Sequence, residues 1–298
     1  MFLSQDQLQE FEEFGFIKLP QLLSHTTVSK LLQTVKGLHA QYNEEAKNNF
    51  ISKRKWWTDF QDSESSPRAQ TSCWEIRNIV AKHQYFLDLI DIPTILLPLT
   101  QLLSENIALL GSHLMIRNQS NISEEKLLHT PLAWHRDLGR SFFEMTEPHS
   151  RIAVKVAFWM TPLSGRGQGA MRVIPGSHRL IGRPPINSNN NQPYGAIEIY
   201  AEPGDVFIFE QRLWHAGTTN ISSQPRICMF YSYGYRWLRP LDYSYFSDNF
   251  LRNLSPVRRQ LLGNAITELG YYMPIAEDIP LCEWLKKNGQ DLAVIGRD

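Results

Sequence analysis

The sequence predicts a mainly β fold with flanking helices, built around a jelly-roll core. From about residue 107, short runs with the alternation of β-strands follow one another between turn-rich segments. The residues before this point instead carry apolar side chains at helical spacing. Many short strands suit a sandwich or a barrel. We favour the jelly roll because it can bring residues that are distant in sequence to one site.

The N-terminal part is predicted to be mainly helical. Apolar spacing indicates a helix over residues 4–14 that ends at Gly15, followed by a short strand over residues 16–20. Ser24 or Thr26 is then placed to cap a second helix, because both side chains can accept a hydrogen bond from the first helical turn.

Three strands of the core are well defined by pattern. Residues 154–159 alternate in the manner of a half-buried strand, and apolar runs follow at residues 206–209 and 227–235. After the core, Ser255 stands directly before a proline, which is a common start signal for a helix. The pattern predicts that this last helix continues through Leu269.

These elements predict a single domain over residues 1–298. We expect an N-terminal helical layer over about residues 1–106, the jelly-roll core over about 107–240 and a C-terminal helical segment over about 241–298. A polar, basic stretch over residues 48–71 is expected to form an irregular loop in the first layer.

Composition is typical of a soluble cytoplasmic protein. The chain has 30 Lys plus Arg and 30 Asp plus Glu, so no net charge attracts nucleic acid or an anionic membrane. No stretch reaches the ~20 apolar residues of a membrane span, and the N-terminus lacks the features of a signal peptide. The three cysteines are widely spaced, which fits a reducing compartment. No pattern indicates an oligomeric state.

Four dispersed residues form the most informative pattern of the chain. His135 and Asp137 are separated by one residue, so a strand would point both to the same face. His215 follows far downstream, and a barrel can bring it beside the first pair. Two imidazoles and one carboxylate are the ligands that hold non-haem Fe(II) and leave coordination positions open. Arg226 offers a planar fork to a carboxylate-bearing cosubstrate.

The segments that carry these residues resemble the phytanoyl-CoA dioxygenase family of Fe(II)- and 2-oxoglutarate-dependent oxygenases. They are the Trp134–Asp137 motif, the glycine-rich turn and strand at 169–178, the segment 203–209 that leads to His215, and Arg226. The resemblance implies a double-stranded β-helix, which is a cupin-like jelly roll.

The same resemblance implies the cofactors and their ligands. Fe(II) would be bound by His135, Asp137 and His215, and Arg226 would pair with the distal carboxylate of 2-oxoglutarate. O2 would be the second cosubstrate. The presence of Asp137 favours hydroxylation over halogenation, since halogenases of this broad class usually lack the carboxylate.

Two positions depart from the family pattern. Gly217 stands where some relatives have a serine that helps to hold the distal carboxylate of 2-oxoglutarate. Arg136, between the first two metal ligands, stands where many relatives have glutamine. The second departure bears on the substrate and not on metal binding.

Further residues are candidates for ligand binding. Arg117, in a candidate strand ahead of the metal motif, is expected to approach the cosubstrate or an acidic group of the substrate. Arg136, Trp159 and Arg172 are candidates for the mouth of the site. Trp56 lies in the basic loop, which we expect to cover an anionic or flat substrate.

The leading functional hypothesis is a hydroxylase of a small molecule that acts in natural-product tailoring, with a cylindrospermopsin-type alkaloid as one candidate substrate. The same cofactors also support desaturation, cyclisation or epimerisation, because the triad does not fix the fate of the substrate. Acyl-CoA and amino-acid hydroxylases are further alternatives. A non-catalytic jelly-roll binding protein is disfavoured because the triad and Arg226 are all present.

Overall fold

The computed structural model describes residues 2–48, 73–137, 145–187, 192–264 and 279–288. The loop predicted over residues 48–71, apart from Asn48, lies outside the described residues, and so does Trp56.

The helices of these segments lie mainly before and after the strands of the core. They are α1 (Gln5–Phe14), α2 (His25–Asn48), α3 (Gln84–Leu87), α4 (Pro93–Leu102), α5 (Glu124–His129), α6 (Asp248–Leu251), α7 (Pro256–Leu261) and α8 (Pro280–Lys287). Within the described segments, no helix combines the length and hydrophobicity that a membrane span requires.

The strands form two sheets and a short hairpin. They are β1 (Phe16–Leu19), β2 (Cys73–Arg77), β3 (Ile107–Arg117), β4 (Ala153–Trp159), β5 (Met171–Val173), β6 (Ile186–Asn187), β7 (Gln192–Pro193), β8 (Ile197–Ile199), β9 (Val206–Glu210), β10 (His215–Gly217) and β11 (Arg226–Tyr235). The main sheet has the order β1-β9-β4-β11-β3-β2, and the small sheet has the order β10-β5-β8. Neighbouring strands pair in the antiparallel sense in both sheets, as a jelly roll requires.

The predicted N-terminal elements are confirmed. Ser4 caps α1 in a reciprocal capping box, and Gly15 ends the helix with a φ of 79°. Ser24 Oγ accepts a hydrogen bond from the backbone of Thr27, so Ser24 caps α2. The strand β1 does not stay within the helical layer, because it pairs with β9 at the edge of the main sheet.

The prediction that residues 154–159 form a half-buried strand is wrong, because both faces of β4 are covered. Val156 and Phe158 belong to the core that the main sheet shares with the helices. Ala157 and Trp159 belong to a second core between the two sheets. The small sheet therefore covers the face that the alternation assigned to solvent, and Lys155 lies on that inner face.

The last predicted helix is shorter than the sequence pattern suggested. Ser255 caps it as predicted, but α7 ends at Leu261 and not at Leu269. The physical reason is Gly263, whose φ of 77° is left-handed and stops the helix. Residues 265–278 lie outside the described part of the chain.

A buried ion cluster connects the helical layer to the main sheet. Glu210, at the end of β9, is fully buried and accepts hydrogen bonds from Arg151 Nε at 2.6 Å and Arg212 Nε at 2.5 Å. Arg151 also reaches Glu12 of α1, at 2.7 Å, and the carbonyl of Leu102 at the end of α4. Glu210 thus compensates Arg212 and shares Arg151 with Glu12 at the junction of three elements.

We expect Glu210→Gln to lower the free energy of unfolding by roughly 3 kcal/mol, because the substitution leaves the largely buried guanidinium group of Arg212 without its counter-ion. Glu12→Gln is the matched control, since it removes the exposed partner of Arg151 and should cost at most about 1 kcal/mol. Chemical denaturation of both variants measures the difference. Equal losses would contradict the assignment of Glu210 as the centre of the cluster.

Candidate metal centre

The backbones of His135 and His215 are joined directly. His135 N donates to the carbonyl of His215 at 3.0 Å, and His215 N donates to the carbonyl of His135 at 3.0 Å. This isolated antiparallel bridge attaches the His135 segment to β10 and brings the two imidazole centroids to 4.3 Å. The structure therefore brings together the two histidines that the sequence predicted as ligands.

Each imidazole is held in one orientation by its own chain. Nδ1 of His135 lies 2.8 Å from the carbonyl oxygen of Ala133, and Nδ1 of His215 lies 2.9 Å from that of Leu213. A ring that donates from Nδ1 to a carbonyl keeps the Nε2 lone pair available for a metal ion. Both rings are therefore oriented as ligands in the same way.

The third predicted ligand, Asp137, completes the cluster. Its Oδ1 lies 3.9 Å from His135 Nε2, and its Oδ2 lies 3.7 Å from His215 Nε2. One ligand atom from each of the three residues lies within 4.8 Å of the others. Lys155 of β4 donates to Asp137 Oδ2 at 2.8 Å.

The electrostatic state of these groups suits a metal ion. Burial, reinforced by the neighbouring His135, lowers the pKa of His215 to about 3, so its imidazole is neutral near pH 7. Burial opposes the ionisation of Asp137, but the ammonium group of Lys155 beside it outweighs burial and holds the pKa of this carboxyl well below its usual range. Neutral imidazoles and an ionised carboxylate are the forms in which these residues bind metal. The donor set and its orientation fit Fe(II) with open coordination positions.

Arg226 forms the inner end of the site. It is 3% exposed, and its guanidinium carbon lies 5.2 Å from the ring centroid of Trp159. Its Nε donates to the carbonyl of Gly169 at 3.0 Å, whereas its buried Nη1 has no hydrogen-bond partner among the described residues. A buried cation with an unused donor suits a carboxylate ligand.

Arg117 lies directly beside Arg226, because the two residues are paired across β3 and β11. It is 8% exposed, and its Nη1 donates to the carbonyl of Thr218. The guanidinium also lies flat against Gly217, where a Cβ atom would be only 2.7 Å from Nη2. Glycine at position 217, where some relatives have serine, therefore leaves room for the guanidinium group of Arg117.

The remaining substrate candidates are placed as follows. Arg136 donates to Glu147 at 3.2 Å and lies over the ring of Trp214, so its guanidinium already has partners. Trp159 is fully buried beneath Arg226. Arg172 pairs with Ala216, one position from His215, and strand alternation puts it on the other face of the small sheet. Their roles in substrate binding stay predictions.

Sequence reasoning missed Lys155. The signal was present, because a lysine is unusual in a strand whose other residues are all apolar. The half-buried pattern of β4 would leave Lys155 in solvent, whereas its side chain is 12% exposed and contacts the candidate ligand Asp137.

Comparisons with known proteins show the family and the fold of the chain. A profile of the family described as phytanoyl-CoA dioxygenase (PhyH) matches residues 11–228. The uncharacterized protein Rv1501 of Mycobacterium tuberculosis is 25% identical over 205 residues, which are 67% of this chain and 71% of that protein.

Solved structures share the fold at lower identity. HygX from Streptomyces hygroscopicus, with nickel and 2-oxoglutarate bound, has a TM-score of 0.58 at 15% identity, covering 80% of this chain and 90% of HygX. HygX is also known with hygromycin B bound. SnoK, an alpha-ketoglutarate-dependent carbocyclase from nogalamycin biosynthesis, has a TM-score of 0.56 at 17% identity, covering 85% of this chain and 91% of SnoK. These similarities confirm the predicted jelly-roll fold.

The family profile spans well over half of the chain and includes His135, Asp137, His215 and Arg226. The chain belongs to the phytanoyl-CoA dioxygenase family of Fe(II)- and 2-oxoglutarate-dependent oxygenases.

Proposed function

We propose that this dioxygenase hydroxylates a small organic molecule, with Fe(II) bound by His135, Asp137 and His215. The observation that carries the proposal is the convergence of three ligand atoms within 4.8 Å, with both imidazoles oriented by carbonyl groups. The intact ligand set disfavours a non-catalytic binding protein.

We further propose that Arg226 and Arg117 hold the distal carboxylate of 2-oxoglutarate. The two buried guanidinium groups are adjacent in the register of β3 and β11, and Arg226 Nη1 has a donor to spare. Trp159 and Phe230 lie within about 6 Å of Arg226 Cζ and exclude water from this end of the site. In such surroundings a charge-assisted hydrogen bond is stronger than in water.

Bound iron, with 2-oxoglutarate and O2, supplies the oxidising power for attack on a C–H bond. The residues of the chain supply position. His135, whose side chain is 45% exposed, is on the open side of the triad, whereas His215 is buried. We propose that the substrate approaches from the side of His135, opposite the buried arginines. Asp137 fills the third ligand position and favours hydroxylation over halogenation.

The substrate class we propose is a natural product. HygX binds hygromycin B, and SnoK acts in nogalamycin biosynthesis, which supports a tailoring role for a chain of the same fold. A cylindrospermopsin-type alkaloid remains a candidate substrate, and acyl-CoA or an amino acid is an alternative. A second candidate reaction keeps the cofactors but ends in cyclisation, desaturation or epimerisation. Cyclisation is included because SnoK, which shares the fold, is a carbocyclase.

The substrate proposal is tested by measuring succinate formation against panels of natural products, acyl-CoA thioesters and amino acids. We expect stimulation by a natural product, and a product heavier by one oxygen atom. A product that has lost two hydrogens would instead support desaturation or ring closure. Stimulation only by a thioester or an amino acid would contradict the natural-product proposal.

The cofactor proposal predicts a visible charge-transfer band when Fe(II) and 2-oxoglutarate are added without oxygen. Arg226→Ala should weaken 2-oxoglutarate binding roughly 10- to 100-fold, because a buried charge-assisted contact is lost, while Fe(II) affinity is preserved. His215→Ala is the control that should lose the metal itself. Absence of the band in the unaltered protein would refute the proposed function, and loss of iron in Arg226→Ala would refute the role of Arg226.

The role of Arg117 predicts a coupled effect with Gly217. Arg117→Met should raise the dissociation constant for 2-oxoglutarate about tenfold, the size expected for one charge-assisted hydrogen bond. Gly217→Ala should have a similar effect, because the added methyl group displaces the guanidinium. The double variant should lose little more than either single variant, since both act through the same group. Calorimetric titration measures all three, and additive losses would contradict a shared mechanism.

A further inference from the structure

The inner face of β4 carries a cation that touches a metal ligand. Lys155 Nζ lies 2.8 Å from Asp137 Oδ2, and both side chains are largely buried, with 12% and 15% of their surface exposed. We propose that Lys155 is a positioning residue, which occupies Oδ2 of Asp137 and so reserves this carboxylate as a one-oxygen ligand through Oδ1. The inference rests on the proposed function and adds to it how the third ligand is set.

The three ligands are anchored in two different ways. Each histidine is fixed by a hydrogen bond from Nδ1 to the carbonyl two residues earlier in its own chain. The carboxylate of Asp137 has no hydrogen-bond donor with which to bind a backbone carbonyl in this way. The backbone of Asp137 is not held by a strand either, since the residue follows the isolated His135–His215 bridge. Within the described residues, the hydrogen bond that holds its side chain comes from Lys155.

Lys155 is well suited to this role because its own position is rigid. It lies on an inner strand of the main sheet, opposite Phe209 on one side and Ser232 on the other. Its ammonium group lies 5.5 Å from the ring centroid of Phe230, a distance at which a cation is attracted to the face of an aromatic ring. The main sheet therefore sets the position of Nζ, and Nζ sets the position of the carboxylate.

One-oxygen ligation has a chemical consequence. If each of the three residues supplies one ligand atom, bound iron would keep the open positions that its cosubstrates need. A carboxylate that bound through both oxygens would take one of these positions. The hydrogen bond from the ammonium group makes Oδ2, which also lies 3.7 Å from His215 Nε2, the weaker donor to a metal. Oδ1, which lies 3.9 Å from His135 Nε2, is then the stronger donor, and the chelating position stays open.

The test uses Lys155→Met in the full chain loaded with Co(II), whose visible absorption reports coordination without oxygenase turnover. Methionine keeps the apolar stem but removes the charged donor. We expect the Co(II) spectrum to change before any cosubstrate is added, because Oδ2 is free to bind. The dissociation constant for 2-oxoglutarate should rise about tenfold, which is the lower end of the losses in activity that follow when a hydrogen-bond partner of a metal ligand is removed. Co(II) affinity should change less, because binding through Oδ2 compensates for the hydrogen bond that no longer orients the Asp137 carboxylate.

Two further variants make the result specific. Lys155→Arg keeps a charged donor and should restore the Co(II) spectrum and most of the affinity for 2-oxoglutarate. Lys18→Met removes the lysine of another Lys–Asp pair, which joins Lys18 to Asp205 at 3.7 Å away from the metal ligands, and should leave both measurements unchanged. Thermal unfolding of every variant shows whether the fold is retained.

Several outcomes overturn the inference. An unchanged Co(II) spectrum with weaker 2-oxoglutarate binding would show that Lys155 acts on the cosubstrate as a charge and not through Asp137. Parallel loss of metal affinity, cosubstrate affinity and thermal stability would show a purely structural role. If the unaltered chain bound no Co(II), the proposed function would fail together with the inference. Binding by the unaltered chain with no effect of Lys155→Met would refute the inference alone.

Discussion

The two backbone hydrogen bonds between His135 and His215 are the contacts on which the candidate site depends. They attach a segment that is otherwise outside the sheets to β10, and they fix the spacing of the two imidazoles. Residues two positions further along each segment are placed by the same bridge. Asp137 follows His135 at this distance and becomes the third candidate ligand, while Gly217 follows His215 and faces Arg117.

The main sheet supplies the opposite wall of the site. Lys155, Arg226 and Arg117 come from three consecutive strands, β4, β11 and β3, and their side chains share the inner face. Asp137 and the His135–His215 bridge lie on the side of the small sheet, whereas the three cationic side chains come from the main sheet. A site between such walls is suited to an anion that binds a metal at one end and an arginine at the other, which is the shape of a 2-oxo diacid.

The sequence pattern predicted the parts of this arrangement that follow from spacing. The spacing predicted that His135 and Asp137 converge, but the structure achieves this with an isolated bridge followed by a turn and not with the strand that the parity assumed. The inner position of Lys155 was not predictable in this way, because alternation shows which residues share a face but not what covers that face. The cover is the small sheet, a tertiary feature. The early end of α7 was not predicted either. Gly263 and Gly270 can each end a helix, and the sequence pattern did not show that the first of them does so.

The contact between Arg117 and Gly217 also limits how the site can evolve. A side chain at position 217 and a guanidinium from position 117 would occupy the same volume. The two positions are therefore expected to covary among relatives, with glycine at the first wherever arginine is found at the second. A lineage that moved from serine to arginine as its extra carboxylate contact would have to lose the serine side chain first or at the same step.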